Sequence, residues 1–225
     1  MTQTAQAMDT HAVARFNMIE QQIRTWDVLD PVVLELFNTV PRENFVAESQ
    51  VGLAFADVEL PIGYEQTMLS PKIEGRILQV LDVKKTDKVL LVGTGSGYLA
   101  ALLATQAKQV HAVEMQAELS AVAATRLQKQ NIHNVTLHVA DAVNGFMPEA
   151  PYDVIVFAGS LPLRPLAAEQ MLNVGGRLFA VVGDLPIMQA TLTLRVSEDA
   201  FRHTAIFETC LPQLKNAPQA PKFEF

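Results

Sequence analysis

The sequence predicts an α/β fold, in which a doubly wound, mostly parallel sheet of seven strands carries helices on both faces. Three observations predict it. From Lys88 onward, short runs of Val, Leu and Ile bounded by turn residues alternate with helical stretches. The runs are almost continuously apolar, as expected for parallel strands buried on both faces. A glycine-rich turn directly follows the first run, which is typical of Rossmann-like sheets.

Each element of the core is predicted from its own segment. Strands are predicted at residues 89–92, 110–113, 135–139, 154–157 and 178–182, and helices at residues 99–107, 117–130 and 165–172. After Gly183, two strand-like runs follow at residues 190–196 and 204–209, with no helical pattern between them. Consecutive strands of this kind predict an antiparallel hairpin at the edge of the sheet.

The segment before the sheet is predicted to be mainly helical. Apolar residues recur at helical spacing between Val13 and Ile23. The pair Asp30-Pro31, an N-cap acceptor followed by proline, predicts the start of a second helix that ends near Pro41. Residues 70–71 repeat this start signal for a third helix with an apolar face.

Two segments lack a regular pattern. Residues 56–70 mix proline, glycine and polar residues with apolar ones, which predicts a loop or a short extended stretch. Loops of this length usually have a function. Residues 212–225 contain three prolines, and we expect them to extend along the surface.

The chain is expected to form one domain over residues 1–225. Its length suits a single α/β domain better than two. We divide it into a disordered tail (1–10), N-terminal helices with a substrate loop (11–85), a cofactor-binding core (86–183), and an edge hairpin with a tail (184–225).

Composition limits the classes of partner. A formal charge of −7, with basic residues scattered, disfavours a nucleic-acid surface, and no apolar run approaches the roughly 18 residues of a membrane span. The single cysteine, Cys210, excludes an internal disulfide and a Cys-rich metal site, so we expect a reducing, cytoplasmic setting. His133 and His138 have no metal-ligand companions in the sequence pattern, and no metal is predicted.

The glycine-rich turn is the first candidate binding element. It consists of Gly93, Thr94, Gly95, Ser96 and Gly97. Glycines there permit positive φ angles and a close approach of ligand to backbone. The residue after the turn is a tyrosine where a dinucleotide site has its third glycine, which disfavours a nucleotide-dependent oxidoreductase.

Two carboxylates are predicted to lie beside that turn. Glu114 ends the second predicted strand, where a carboxylate can accept the ribose hydroxyls of a nucleoside. Asp141 and Ala142 follow the third strand, where they can meet an adenine amino group. Each acid alone has an ordinary alternative role, as a solvated strand end or a helix cap. Together with the turn, they predict a nucleoside site.

Several further motifs resemble one family over nearly the whole chain. They are Val40-Pro41-Arg42-Glu43-Asn44-Phe45-Val46, Ala54-Phe55-Ala56-Asp57, Leu60-Pro61-Ile62-Gly63, Gln66-Thr67 and Gly175-Gly176-Arg177-Leu178. With the glycine turn, these motifs resemble the protein-L-isoaspartate O-methyltransferases. The resemblance implies S-adenosylmethionine as cofactor and a protein or peptide substrate, with methyl transfer to the carboxylate of a damaged, isoaspartyl residue. It places Gln66, Thr67 and Ser70 at the substrate.

The sequence departs from the family pattern at two positions. Leu69 stands where the family has its active-site serine, and Ser70 falls one residue later, immediately before Pro71, where an N-cap is the competing role. Leu91 stands where the family has an acid that holds the methionine end of the cofactor, and Glu65 or Asp57 are candidates to replace it. A methyltransferase-fold adaptor without activity, or an enzyme with a different acceptor, therefore remains open. The sequence does not report the oligomeric state.

Overall fold

The N-terminal segment packs as short helices against one face of a central sheet. The computed structural model describes residues 10–219. Helix α1 (Thr10–Met18) continues into a π-helical turn at Ile19–Ile23, and α2 (Pro31–Thr39) begins after the predicted N-cap, Asp30, whose side chain accepts a hydrogen bond from the Val32 amide. Residues 1–9, which include most of the predicted tail, lie outside the described part.

The segment predicted as a loop contains a small hairpin. Strands β1 (Leu60–Gly63) and β2 (Gln66–Met68) pair antiparallel. The turn between them is Tyr64-Glu65, and both residues have positive φ angles, 55° and 59°. Such turns normally show as Asn-Gly or Asp-Gly in a sequence. This turn carries neither, so the sequence predicted only a loop or a short extended stretch for residues 56–70.

Seven strands form the main sheet in the order β5-β4-β3-β6-β7-β8-β9. Their bounds are β3 (Lys88–Val92), β4 (Gln109–Glu114), β5 (Val135–Val139), β6 (Tyr152–Leu161), β7 (Leu172–Val182), β8 (Met188–Arg195) and β9 (Phe201–Thr209). Strands β3 to β7 are parallel, and β8 and β9 are antiparallel additions at one edge. The predicted fold class and edge hairpin are confirmed.

Helices cover the sheet unequally. Helices α3 (Pro71–Leu81), α4 (Tyr98–Ala104) and α5 (Ala117–Lys129) contribute to the larger apolar core. The other core is closed by α6 (Leu166–Glu169), residues from the β5–β6 connection and Ala217. The predicted helix at residues 165–172 is wrong in length, because Leu172 already pairs with Tyr152 as the start of β7.

The C-terminal segment is held against β6. Ser160 in β6 anchors it: its amide donates to Pro212 O at 2.9 Å, and its carbonyl accepts from the Leu214 amide at 3.0 Å. Leu211 and Ala217 are buried. We call residues 211–217 the C-terminal strap. Pro212, Gln213 and Asn216 are exposed, in agreement with the expected surface path, whereas Ala217 is buried. Residues 220–225 lie outside the described part.

Candidate active site

The site lies where the strand order reverses, between β3 and β6. Ligands of open α/β sheets bind at such a switch point, outside the carboxyl ends of the strands. Gly93 and Gly95 follow β3 with φ angles of +89° and +53°. A Cβ added at Gly95 would lie 3.1 Å from Ile62 Cδ1 in the hairpin, so a side chain there would be tightly packed as well as strained by the positive φ angle. This geometry fits a ligand that approaches the backbone.

Gly97 serves the same turn in another way. Its φ angle is +87°, and a Cβ there would lie 3.1 Å from the Ala123 Cβ of α5. It is not among the described residues that line the cavities of the site. Gly97 therefore lets α4 begin close to α5, and its predicted contact with the cofactor stays a prediction.

The two hydroxyl side chains of the turn, Thr94 and Ser96, differ in their availability to a ligand. Thr94 is buried, and its Oγ1 has no hydrogen-bond partner among the described residues. A buried, unpaired hydroxyl costs free energy unless a ligand or water pairs with it. Ser96 Oγ accepts a hydrogen bond from the Tyr98 amide at 3.2 Å, and the Ser96 carbonyl accepts from Arg126 Nη1 at 3.1 Å. Thr94 is thus available to a ligand, whereas Ser96 also holds the start of α4.

Glu114 connects the turn to the end of β4. Its Oε2 accepts from the Gly95 amide at 3.0 Å, and its Oε1 accepts from the Gln116 amide at 3.1 Å. The residue is 7% exposed and lines both cavities described below. Two backbone amides therefore fix the carboxylate in place, and each of its oxygens has a further lone pair for a ligand hydroxyl.

Asp141 and Ala142 lie beside it, after β5. The Asp141 Oδ1 accepts from the Val143 amide at 3.1 Å, and its Oδ2 accepts from Asn216 Nδ2 of the C-terminal strap at 2.7 Å. Ala142 is buried. The structure therefore brings Glu114, Asp141 and Ala142 together around one cavity, as the sequence predicted.

Two adjoining cavities form the site, with about 440 Å³ and 460 Å³ of empty space when the part open to solvent is included. The first is the nucleoside-sized cavity, bounded by the turn, Glu114, the β5–β6 connection and the strap. The second lies under the hairpin. Both cavities are lined by Gln66, Gly93, Glu114 and Leu214.

The hairpin supplies the remaining predicted substrate residues. Gln66, Thr67 and Leu69 line the second cavity, and Thr67 Oγ1 donates to Glu59 Oε2 at 2.9 Å. Ser70 is buried at the N-cap position of α3, makes no side-chain capping bond, and does not line either cavity. The structure thus places Leu69, and not Ser70, at the cavity wall.

A buried ion pair lies under Leu69. Arg42 pairs with Glu74 Oε2, and both side chains are 1% exposed. Arg42 Nη2 also donates to the Leu69 carbonyl at 2.6 Å, and its guanidinium lies 5.0 Å from the Tyr98 ring centre. Burial raises the pKa of Glu74 to about 7 against the opposing charge of Arg42. The pair fixes the chain where the hairpin joins α3.

Glu74 is the main site residue that the sequence analysis missed. It lines the second cavity, together with Thr94 and Gly95. Leu91 lies in the core at zero exposure. The two proposed replacements for the missing acid are engaged elsewhere, since Asp57 pairs with Lys72 at 2.6 Å and Glu65 lies 3.7 Å from Lys215. The available signal was a glutamate inside the apolar stripe of α3.

The C-terminal strap closes the site from above. Leu214 lines both cavities, and a Cβ built on Gly93 would lie 3.4 Å from its Cδ2. Lys215 and Asn216 reach Glu65 of the hairpin turn and Asp141 respectively. The strap therefore connects the two sides of the cleft. Proline content alone gave no indication of this course.

The chain matches a known protein family over most of its length. The family described as protein-L-isoaspartate(D-aspartate) O-methyltransferase matches residues 14–211. A protein-L-isoaspartate O-methyltransferase of Syntrophus aciditrophicus is 38% identical over 192 residues, which cover 85% of this chain and 88% of the relative. One of Koribacter versatilis is 37% identical over 212 residues, covering 93% and 95%.

Solved structures share the fold. A protein-L-isoaspartate O-methyltransferase matches with a TM-score of 0.77 at 21% identity, over 92% of this chain and 66% of that one. A Plasmodium falciparum protein assigned to the same activity, in complex with S-adenosyl-L-homocysteine, also has a TM-score of 0.77, at 17% identity, over 91% and 98%. The predicted family, enzyme class and cofactor, S-adenosylmethionine, are confirmed by these findings. The chain belongs to the protein-L-isoaspartate(D-aspartate) O-methyltransferase family.

Proposed function

We propose that this protein methylates the α-carboxylate of isoaspartyl residues in damaged proteins or peptides, with S-adenosylmethionine as donor. The observation that carries the proposal is the pair of adjoining cavities that meet at Gln66, Gly93, Glu114 and Leu214. One suits a nucleoside, and the other opens under the hairpin that the family resemblance assigns to the substrate. A cytoplasmic location suits the free thiol of Cys210.

The chain's own residues act by positioning. S-adenosylmethionine, when bound, supplies an electrophilic methyl group on a sulfonium. Gly93, Thr94 and Gly95 would hold it beside Glu114, with Asp141 at its other end. An acceptor carboxylate is already ionised near neutral pH, so the site needs no general base. Alignment of the two reactants and exclusion of water by Leu214 supply the rate enhancement.

We propose that Glu74 takes the role of the family's acidic residue, whose position is occupied by Leu91 in this chain. Among the described residues that line the second cavity, Glu74 and Glu114 are the two carboxylates. Glu114 is fixed by backbone amides. Glu74 is therefore the carboxylate placed to face the ammonium group of the cofactor's methionine end, while Arg42 balances its charge when the site is empty.

A ligand pair tests the role of Glu74. S-adenosylhomocysteine carries the ammonium group, and methylthioadenosine lacks it. We expect Glu74→Gln to weaken S-adenosylhomocysteine about tenfold in calorimetric titration and to leave methylthioadenosine unchanged, because the lost interaction is a charged hydrogen bond. Equal weakening of both ligands would show that Glu74 acts only through the fold.

The acceptor is tested by methyl-label transfer. We expect labelling of an isoaspartyl peptide and none of the matched aspartyl peptide. Leu69 presents an apolar wall where the family resemblance places a serine, so Leu69→Ser is expected to raise the rate. Cofactor binding with equal, negligible labelling of both peptides would reject the isoaspartyl acceptor and favour another one. No binding of S-adenosylhomocysteine at millimolar concentration would reject the enzyme and favour an adaptor.

A further inference from the structure

A cluster of two histidines and a glutamate lies on β4 and β5, beside Phe146 of the β5–β6 connection. His111 of β4 and His138 of β5 lie on one face of the sheet, because the register pairs His111 with Thr136 and Val113 with His138. Glu149, from the short helical turn Met147–Glu149, approaches the same face. The sequence analysis found no companions for His138, and the fold supplies two.

We infer that His111, His138 and Glu149 form a binding site for a divalent transition metal of the zinc class. One potential ligand atom of each residue lies within 4.8 Å of those of the other two. Two histidines and one glutamate are a known ligand set for zinc with an open fourth position. No other cluster of three or more such side chains with this spacing is found among residues 10–219.

The distance between the two histidines suits coordination. His111 Nδ1 lies 3.2 Å from His138 Nε2, and ligands about 2.0–2.1 Å from zinc at tetrahedral angles are separated by about 3.3 Å. Glu149 Oε2 lies 3.9 Å from the other ring nitrogen of His111, Nε2, so Glu149 has to turn toward Nδ1 to share one ion with both histidines. The Glu149 side chain is 42% exposed and is therefore free to adjust by rotation. Without metal, one histidine must donate a proton to the other, and a metal ion would take the place of that proton.

The ligand atoms also favour a metal of intermediate softness, such as zinc, over the hard cations Mg²⁺ and Ca²⁺. Imidazole nitrogen is a preferred ligand of zinc, nickel and copper, whereas the harder cations require oxygen ligands. Lys88 Nζ, bonded to the Glu149 carbonyl at 2.7 Å, opposes a cation. We therefore expect micromolar affinity rather than that of a structural zinc site.

The site is joined to the β5–β6 connection, residues 140–151. This connection contains Asp141 and Ala142, which line the nucleoside-sized cavity. It is held by Tyr152 Oη, which donates to the Phe146 carbonyl at 2.7 Å. A metal on Glu149 would attach the connection to β4 and β5 as well. Metal binding is thus expected to restrict the backbone of this connection, independently of methyl transfer.

Titration of the chelator-treated protein tests the inference. We expect one equivalent of Zn²⁺ to bind, Co²⁺ to give the visible absorption of a tetrahedral site, and Mg²⁺ not to bind. His138→Gln should weaken Zn²⁺ at least tenfold. His203→Gln is the matched control, because His203 contacts Glu169 at 3.1 Å on a different part of the sheet and should leave affinity unchanged.

Hydrogen exchange provides a second readout. Zn²⁺ should slow amide exchange within residues 140–151 of the wild type and leave His138→Gln unaffected. Absence of Zn²⁺ binding at high micromolar concentration, equal binding by wild type and His138→Gln, or protection confined to another segment would overturn the assignment.

Discussion

Glu114 is the residue on which cofactor affinity is expected to depend most. Its carboxylate is fixed by the Gly95 and Gln116 amides and faces both cavities. We expect Glu114→Gln to weaken S-adenosylhomocysteine about ten- to a hundredfold in calorimetric titration, because it loses charged hydrogen bonds worth about 1.5–3 kcal/mol. Asp199→Asn, at an exposed site after β8, is the control. Unchanged affinity in Glu114→Gln would place the ribose elsewhere.

Glu74 gives the stability of the protein a pH dependence. Its pKa of about 7 in the folded state exceeds the ordinary value, so the native protein holds a proton that the unfolded chain releases between about pH 4.5 and 7. The contribution of Glu74 to stability is therefore present at the acidic end and is lost as pH rises through 7. Urea denaturation across this range should show a smaller fall in stability with pH for Glu74→Gln than for the wild type.

The wild type and Glu74→Gln must be compared by the slope of their stability against pH, and not by their absolute stabilities. Glu74→Gln also changes the absolute stability, because it removes the counter-charge of the buried Arg42 wherever Glu74 is ionised. A parallel displacement of the two curves, with the same slope, would show that Glu74 is ionised throughout this range in the folded protein.

At the scale of elements, the contact between α4 and α5 depends on Gly97. Its positive φ angle and the 3.1 Å separation from Ala123 both oppose a side chain. We expect Gly97→Ala to lower the free energy of unfolding by about 1–3 kcal/mol. Gly52→Ala is the control, because a Cβ there meets nothing within 4 Å. Equal denaturation midpoints for the two variants would contradict this account of the turn.

The same scale shows what the sequence could predict. The β3–turn–α4 unit, Glu114 and Asp141 were predictable, because each follows from a local pattern and from the rule that parallel strands end at one edge. The hairpin was hidden because Tyr64-Glu65 adopts positive φ angles without glycine or asparagine. The tertiary contacts of Glu74 and His111 were hidden too, because their partners Arg42 and His138 lie 32 and 27 residues away in the sequence and meet them only in the packed fold.

At the scale of the whole molecule, a groove beside the strap is expected to receive the rest of a protein substrate. It is lined by Glu59, Asp184, Leu185, Met188 and residues 210–213. Glu59 also accepts the hydrogen bond of Thr67, so the groove continues to the second cavity. Leu185 is 74% exposed and therefore offers apolar surface to a peptide that covers the groove.

Kinetics on a long isoaspartyl peptide test this groove. We expect Leu185→Ser to raise KM about three- to tenfold with kcat unchanged, since it removes apolar contact made equally in the ground and transition states. Val174→Ser, an exposed residue of β7 outside the groove, should leave both constants unchanged. A fall in kcat without a change in KM would instead indicate that Leu185 affects the cavity itself.

The position of the strap in the chain has a consequence for synthesis. Leu214 and Asn216 follow every strand of the sheet, yet they close the cavity built from Gly93 and Asp141. During translation the sheet can therefore assemble with its cofactor cleft still uncovered. A nascent chain halted after β9 would present an open nucleoside cleft, and the closed binding site would be acquired only when residues 211–217 have left the ribosome.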